Sequence, residues 1–437
     1  MALTRELYIE KISNLTVEQI TQGIRAGAVT FKELQDTHEF DNEKQKRVRA
    51  KLDGHVQEDN AFKAATTKSQ LLTFQRLYPE SEHPVREKID KIERDEKEAL
   101  SAALSEIRRN INDYTPDEII KKIGRDSLRV LCDDLNIDYD VVINFREPSL
   151  KFNLIPQNVS EVPTGYTDVF FWGVPSSGKT CALSSILSTI KDKYTMESPT
   201  IATKFGATYR DSLVNIFRNG TGYLPDSTQK DRTQYMPFLL KKRDEKKYRQ
   251  ISFFELSGEV FKYFYEVVNG VSILDDADRS FVETAFHTLE MLIRSKNQKI
   301  HFFFIDYNQE TRGSIDKHGL NQGNYLEAAA TYFRDTNDIF KKGTDAVYVV
   351  VTKSDLIKGH NRSELAKQFL TENFGGFMNA IQHRCKKDSV EFNVKMFSIG
   401  DVYFKRICKI DHSYSVNIVE DLLSKVRPVK SDSIFNR

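Results

Sequence analysis

The feature that most constrains this chain is a glycine-rich loop placed between a run of apolar residues and a stretch that favours a helix. The apolar run is Val169–Trp172, the loop is Gly173-Val-Pro-Ser-Ser-Gly-Lys-Thr180, and the helix is predicted from Cys181 to about Lys191. A strand, a loop and a helix in this order form the context that a phosphate-binding loop, or P-loop, requires. Amides of such a loop point at phosphate oxygens, and the positive end of the helix dipole adds to the attraction. The sequence therefore predicts phosphate binding at residues 173–180.

Individual positions of the P-loop are expected to have different tasks. Lys179 is predicted to reach the β- and γ-phosphate oxygens, and the Thr180 hydroxyl is predicted to ligate Mg²⁺. Gly173 and Gly178 allow backbone conformations and close approaches that a Cβ atom would block. The rest of the predicted phosphate cradle consists of Pro175, Ser176, Ser177 and Cys181.

A second motif lies where a later apolar run ends. The run Ala346–Val351 leads into Thr352-Lys-Ser-Asp355, which resembles the guanine-specificity motif of P-loop GTPases. The Asp355 carboxylate can accept hydrogen bonds from the N1–H and 2-amino groups of guanine, which adenine does not supply equally. The Lys353 side chain is expected to lie along the base plane, with its ammonium tied back to the loop. Since open α/β sheets bind ligands at the carboxyl ends of their strands, the two motifs together favour guanine over adenine.

Two weaker segments extend this resemblance, Phe253-Phe-Glu-Leu-Ser-Gly-Glu259 and Phe397-Ser-Ile-Gly400. With them, residues 165–430 resemble a GTPase of the translation-factor and Ras-like class. The Leu224-Pro-x-x-Thr228 stretch, a predicted hairpin and the Ser-Gly-Glu turn look most like the bacterial double-GTPase group found in predicted conflict (defence) systems. The resemblance implies hydrolysis of GTP to GDP, coupled to a switch movement that a helical adaptor transmits.

The resemblance also implies tasks for single residues. Glu255 stands where such GTPases carry Asp and is expected to hold Mg²⁺ through a water, and the Gly258 amide is expected to contact the γ-phosphate. Glu259 stands where a Ras-like enzyme carries a water-positioning Gln. Its negative charge repels the γ-phosphate, which predicts slow intrinsic hydrolysis. Ser398 and Ile399 lie in the loop whose amides are expected to touch the guanine O6.

The switch threonine, which would sense Mg²⁺ and the γ-phosphate, is predicted in the segment before the hairpin. Thr228 is the first candidate, and Thr221 and Thr233 are the alternatives. Arg210 and Arg232 are candidates for an arginine finger supplied by the chain itself, or else ordinary surface residues.

The chain divides by its pattern into three parts. Residues 1–147 are predicted to be helical, with capping boxes at Thr16 and Thr30, and are expected to contact a protein partner. Residues 148–166 are rich in proline and predict a linker. Buried strands alternate with helices in residues 167–437, which predicts an α/β P-loop GTPase domain with a mainly parallel sheet and one antiparallel hairpin.

Three local patterns refine this division. Apolar residues at near 4-3 spacing predict one long helix over 85–111, either packed on a partner helix or solvated along most of its surface. Residues 234–240 and 249–255 are predicted to pair as the hairpin. Residues 15–24 and 114–123 align with each other, which indicates an internal duplication or simply two helices with similar caps.

Composition argues against other classes of function. The chain has 437 residues, and its 64 basic and 63 acidic residues leave a net charge of +1, which gives no overall argument for binding nucleic acid or a membrane. Basic residues at 241–247 are interrupted by acidic ones, which favours a solvated turn over a nucleic-acid patch. The 4 cysteines lack C-x-x-C spacing, which favours a reducing cytoplasm. No apolar run reaches the roughly 18 residues of a membrane span.

Three functions remain open at this point. The first is a Mg²⁺-dependent GTPase switch. The second is a scaffold that binds guanine nucleotide without turnover, for which Glu255 and Glu259 are the motivation. The third is an ATPase in which the Thr-Lys-Ser-Asp motif is accidental and Glu255 acts as the base.

Overall fold

The computed structural model describes residues 3–144, 155–199, 205–217, 221–225, 233–242, 245–335, 338–341 and 343–430 of the chain. The chain divides into two compact units, Met1–Glu106 and Ile107–Arg437. The boundary between the units lies inside the helix Val85–Arg109, and not in the segment 148–166 that the sequence predicts to be a linker. The division into a helical region, a linker and a GTPase domain therefore stays a prediction.

The described part of the first unit is helical, as the sequence predicts. Its helices are α1 Arg5–Glu10, α2 Val17–Arg25, α3 Phe31–Gln35, α4 Asn42–Ala64, α5 Lys68–Leu77 and α6 Val85–Arg109. The capping boxes predicted at Thr16 and Thr30 are both present, and each threonine side chain accepts a hydrogen bond from the backbone N–H three residues later. A small core holds this end of the unit together, built from Ile12, Ile20, Leu34, Phe40 and Val48.

Helix α6 confirms the long helix predicted for this region. Val85 and Ile107, near its two ends, are buried, whereas residues 93–102 are exposed. A helix that exposes its middle turns has no continuous apolar contact there. A partner helix from another chain would cover this surface, so both interpretations stay predictions.

The second unit begins with α7 Pro116–Leu135 and α8 Tyr139–Ile143 and continues as an α/β arrangement. Its strands are β1 Thr167–Trp172, β2 Thr195–Glu197, β3 Thr221–Tyr223, β4 Gln234–Lys241, β5 Lys247–Glu255, β6 Gln298–Asp306, β7 Thr344–Thr352, β8 Glu391–Phe397, β9 Gly400–Tyr403, β10 Ile407–Ile410 and β11 Pro428–Lys430. Its later helices are α9 Lys179–Lys193, α10 Ala207–Ile216, α11 Gly258–Asn269, α12 Asp276–Ile293, α13 Tyr307–Thr311, α14 Gln322–Asp335, α15 Arg362–Asn373, α16 Gly375–Lys387 and α17 His412–Lys425.

The main sheet has 8 strands within the described residues, in the order β2-β4-β5-β1-β6-β7-β8, with β11 paired to β5. Strands β5, β1, β6, β7 and β8 run parallel to one another. Strand β4 pairs antiparallel with β5, from Gln234 opposite Glu255 to Leu240 opposite Arg249, which confirms the predicted hairpin. The predicted fold class, a mainly parallel α/β sheet with one hairpin after a helical N-terminal region, is thus confirmed.

Strand β1 shows why this sheet is buried on both faces. All six of its residues are buried, and because side chains alternate along a strand, they supply two different cores. Phe170 and Trp172 pack into one core and Val169 and Phe171 into the other. Complete burial of one such side chain stabilises the fold by roughly 1.5–3 kcal/mol.

One buried carboxylate lies near the amino end of β1. Asp168 is fully buried and accepts hydrogen bonds from Ser252 (2.5 Å), Ser295 (2.8 Å) and Asn297 (3.1 Å). Burial nevertheless raises the pKa of Asp168 from 3.8 to about 6, against the opposing effect of these bonds and of the Lys299 charge.

A second, small sheet was not predicted. Strand β10 pairs antiparallel with both β3 and β9, which gives the order β3-β10-β9. Each strand has only three or four residues, too few for an alternating pattern to be read from the sequence. Within the described ranges, the structure contains no helix of the length and apolarity needed to cross a membrane.

Candidate functional site

A cavity of about 630 Å³ opens at the carboxyl ends of the parallel strands. Small-molecule sites are commonly clefts of roughly 300–1,000 Å³, so its size suits a nucleotide. It brings together residues from all four sequence motifs: Pro175, Ser176, Ser177, Gly178, Lys179, Thr180, Cys181, Gly258, Glu259, Thr352, Lys353, Asp355, Ser398 and Ile399. Two predicted site residues, Gly173 and Glu255, do not line it and lie behind its wall in contact with lining residues.

The P-loop has the geometry that the sequence predicts. It follows directly on β1 and ends at Gly178, which caps α9 with φ +84°. Gly173 has φ +148°, and a Cβ atom there would lie 2.8 Å from the Phe304 carbonyl oxygen. Both glycines are therefore required by the backbone path of the loop, because an L side chain is strained at these φ values.

The side chain of Lys179 folds back into the loop. Its ammonium donates hydrogen bonds to the carbonyl oxygens of Gly173 (2.7 Å) and Val174 (2.8 Å). Burial lowers the pKa of Lys179 to about 8, while the charges of Glu255 and Glu259 act in the opposite direction. The loop thus holds a buried cation at the start of α9.

Glu255 links the P-loop to a helix that the sequence motifs did not include. It is fully buried at the end of β5. One carboxylate oxygen accepts a hydrogen bond from the Thr180 hydroxyl, and the other accepts one from the Tyr209 hydroxyl at 2.5 Å. Burial and the Glu255 charge raise the pKa of Tyr209 well above its ordinary value, so this phenol stays a donor. Nothing in the local sequence around Tyr209 indicates this contact.

The pair Thr180 and Glu255 fits a magnesium ion. A hydroxyl and a carboxylate are the hard oxygen ligands that Mg²⁺ prefers, and Mg²⁺ usually takes its remaining ligands from phosphates and water. In the part of the chain that the structure describes, no group of three or more His, Cys, Asp or Glu side chains is placed to hold a metal. An ion here would therefore depend on a bound phosphate group.

The second motif is joined to the P-loop through Thr352. The Thr352 hydroxyl donates to the Ser177 carbonyl oxygen at 2.9 Å. The sequence suggested that the Lys353 ammonium would be tied back to the loop. In the structure it instead forms an ion pair with Asp306 at 2.6 Å. Asp306 is the last residue of β6 and is 2% exposed, and a buried carboxylate so close is a stronger partner for an ammonium than a backbone carbonyl.

The other end of the cavity is organised around Asp355. The Ser398 hydroxyl donates to Asp355 Oδ1 at 2.7 Å, and Ser398 Oγ in turn accepts a hydrogen bond from the Gly400 N–H at 3.2 Å. This hydrogen bond orients the carboxylate, although Asp355 is an exposed residue. An ionised carboxylate has about four lone-pair sites, so Asp355 keeps the capacity to accept further N–H donors.

The Ser-Gly-Glu turn packs tightly on the P-loop. Gly258 begins α11, and a Cβ atom on it would lie 2.1 Å from the Pro175 nitrogen. Glu259 follows on the cavity wall, with its carboxylate 4.0 Å from the Lys262 ammonium. The same ammonium lies closer to Asp316, at 3.3 Å, so its charge is shared between two carboxylates.

The structure describes only some of the candidate switch and arginine-finger residues. Thr228 and Arg232 lie outside the described residues, as does the Thr221 side chain. Thr233 is buried and does not line the cavity. Arg210 was expected to be a surface residue if it is not an arginine finger, and this is wrong, because only 4% of its side chain is exposed. Its guanidinium binds Ser198 and Asp211 beside a separate groove.

Sequence reasoning also missed part of the cavity wall. The additional lining residues are Leu224, Pro225, Leu356, Phe397, Gly400 and Val402. Most are apolar. Leu224, Pro225, Phe397 and Gly400 lie in segments that the sequence singles out without giving them a place in the cavity wall, whereas Leu356 and Val402 belong to no motif. The number of apolar residues near Asp355 makes this end of the cavity suited to a flat aromatic base.

Comparisons with known proteins add little to this geometry. No family model and no curated protein matches the chain. A solved structure of the signal recognition particle receptor SRb-GTP/SRX complex from Chaetomium thermophilum matches with 15% identity and a TM-score of 0.29, over 55% of this chain and 94% of that one. The GTP-bound Ski7 GTPase-like domain from S. cerevisiae matches with 15% identity and a TM-score of 0.28, over 55% of this chain and 44% of that one. Both scores are too low to carry an argument.

Proposed function

We propose that this chain binds a guanine nucleotide in the cavity and hydrolyses GTP to GDP with the help of Mg²⁺. The observation that carries the proposal is the position of Asp355. It is fixed by Ser398 in the same cavity that contains the P-loop. A phosphate cradle at one end and an oriented acceptor carboxylate at the other suit a nucleotide whose base offers two N–H donors.

The base end favours guanine over adenine on chemical grounds. Guanine presents its N1–H and its 2-amino group side by side, and a single carboxylate can accept both. Adenine has an unprotonated N1 at that edge, which would face the Asp355 carboxylate as a second acceptor. The ATPase alternative needs Glu255 as a base for water, but among the described residues each Glu255 oxygen accepts a hydrogen bond from a protein hydroxyl and the group is buried.

At the phosphate end, the Lys179 ammonium would exchange its two carbonyl partners for β- and γ-phosphate oxygens. The Thr180 hydroxyl and the Glu255 carboxylate would hold Mg²⁺, which when bound neutralises charge on the phosphates. The Tyr209 hydroxyl keeps the second oxygen of Glu255 in place. The amide of Gly258, at the start of α11, would add a donor for the γ-phosphate.

Hydrolysis would depend on Glu259, the polar lining residue of the Ser-Gly-Glu turn. Its carboxylate can orient a water molecule but repels the γ-phosphate, and Lys262 offsets only part of that charge. We therefore expect slow turnover. The same charge supports the second candidate, a scaffold that binds guanine nucleotide without hydrolysis.

The wider role proposed here is that of a molecular switch in the cytoplasm. Segments 219–233 and 255–275 would move with the nucleotide state, and the helical region 1–147 would contact a protein partner. The finer resemblance to the bacterial double-GTPase group of conflict systems belongs to the same proposal. It is supported by the Leu-Pro-x-x-Thr stretch, the hairpin and the Ser-Gly-Glu turn.

Two measurements on the full chain test the proposal. Titration with labelled GTP should show tight binding that Lys179→Ala abolishes, whereas Lys191→Ala, a charge removed from the far end of the same helix, should leave it intact. Retention of GTP affinity in Lys179→Ala would refute the P-loop assignment. Phosphate release above background from bound GTP supports the enzyme, and tight binding with no release supports the scaffold.

A further inference from the structure

The small sheet connects two walls of the nucleotide cavity that are far apart in the chain. Strand β9 begins directly after Ser398 and Ile399, in the loop that orients Asp355. Strand β3 leads directly into Leu224 and Pro225, which line the same cavity. Because β10 pairs with both strands, it joins the loop at the base end to the segment that leads toward residue 228.

Arg406 binds both the backbone N–H and the backbone carbonyl of Leu224, the first residue after β3. The Leu224 N–H donates to the Arg406 carbonyl oxygen at 2.6 Å. The Arg406 guanidinium in turn donates to the Leu224 carbonyl oxygen, from Nε at 3.2 Å and from Nη2 at 2.9 Å. Arg406 lies just before β10, so its position is fixed by the pairing of Ile407 with Tyr223 and Tyr403.

The other side of the small sheet is equally tight. Gly400 has φ +101°, and a Cβ atom on it would lie 2.1 Å from the Lys409 carbonyl oxygen. The Asp411 N–H donates to the Ile399 carbonyl oxygen at 3.1 Å. The loop containing Ser398 is therefore packed directly on the end of β10. A shift of β10 would displace both this loop and the Leu224 segment, which form two walls of the cavity.

We propose that this sheet is a clasp for the base and ribose of the bound nucleotide, and that Arg406 is the positioning residue that keeps the clasp closed. The inference rests on the proposed function, since it takes the ligand to be a guanine nucleotide. Leu224 and Pro225 supply the apolar wall, and Arg406 acts on the nucleotide only through the Leu224 carbonyl. The clasp sets how slowly the nucleotide leaves, and it has no contact with the phosphates.

The test is the dissociation rate of radiolabelled GDP from the full chain during a chase with unlabelled GDP. Arg406→Ala removes charge-assisted hydrogen bonds to Leu224, and we expect dissociation to become about tenfold faster. Lys409→Ala is the matched control. It removes one positive charge from β10, the strand that follows Arg406, and keeps the backbone carbonyl that faces Gly400. It should change the rate less than about twofold.

Inorganic triphosphate separates a clasp from a general loss of structure, because it has no base or ribose. Arg406→Ala should bind it as tightly as the wild type does. Equal loss of affinity for GDP and for triphosphate, or an unchanged GDP dissociation rate, would overturn the proposal. Leu224→Ala, which shortens the wall and keeps every backbone hydrogen bond, should also accelerate GDP release, and it decides the question if Arg406→Ala does not fold. A wild-type chain that binds triphosphate but not GDP would instead contradict the proposed function.

Discussion

Replacement of Asp355 by Asn changes base recognition while leaving the phosphate cradle untouched. The Ser398 hydroxyl holds Asp355 Oδ1 at 2.7 Å, so the carboxylate is oriented before the base arrives. A hydrogen bond that involves a charged group contributes about 1.5–3 kcal/mol. Asn keeps one acceptor for the guanine N1–H but turns a donor toward the 2-amino group. We expect a loss of about 3 kcal/mol for GTP, which is roughly a hundredfold in Kd.

The same substitution should also create a new preference, for xanthosine triphosphate. Xanthine carries a carbonyl oxygen where guanine carries its 2-amino group, so the Asn amide can donate to it. Competition titrations of Asp355→Asn with GTP, xanthosine triphosphate and ATP should show the preference move to xanthine. ATP affinity should rise, because the neutral amide no longer opposes the adenine N1 acceptor with a carboxylate. Asp401→Asn makes the same change of charge on β9, away from the cavity lining, and should behave as the wild type does. A folded Asp355→Asn protein with an unchanged preference for GTP would refute the reasoning.

Three further changes test other parts of the account. Gly258→Ala would place a Cβ 2.1 Å from the Pro175 backbone. Thermal denaturation should show a loss of about 1–3 kcal/mol of stability. Gly375→Ala is the control and should keep the stability of the wild type, because a Cβ there meets nothing within 4 Å. Glu259→Gln removes a repulsion of about 1 kcal/mol and should accelerate phosphate release about fivefold. The pKa of Asp168 is raised from 3.8 to about 6 on folding, so its contribution to stability falls as pH rises through that window. Urea denaturation should show Asp168→Asn gaining stability relative to the wild type between about pH 4 and pH 6, by at most about 3 kcal/mol.

The local features of the cavity could be predicted because each is encoded within a few neighbouring residues. Three P-loop positions have a positive φ, and glycine occupies two of them, Gly173 and Gly178, while Ser176 occupies the third. The hairpin and the buried strands follow from apolar runs separated by polar turns. The capping box at Thr16 is likewise a pattern over four residues.

The contacts that complete the site could not be predicted because they join distant parts of the chain. Tyr209 lies 46 residues from Glu255, and Asp306 lies 47 residues from Lys353. Each pair is brought together only by the order of strands in the sheet, which the sequence does not state. The division into compact units within α6 is similarly a property of packing, and no composition change in that helix indicates it.

The central claim is that the cavity selects a guanine nucleotide, and a competition experiment tests it most directly. The full chain, stripped of any bound nucleotide, would be incubated with equimolar GTP and ATP in the presence of Mg²⁺ and separated from free ligand. The nucleotide released on denaturation would then be identified by chromatography. We predict GTP or GDP at about one per chain. Adenine nucleotide in comparable or greater amount, or no retained nucleotide at concentrations that saturate a P-loop site, would contradict the account.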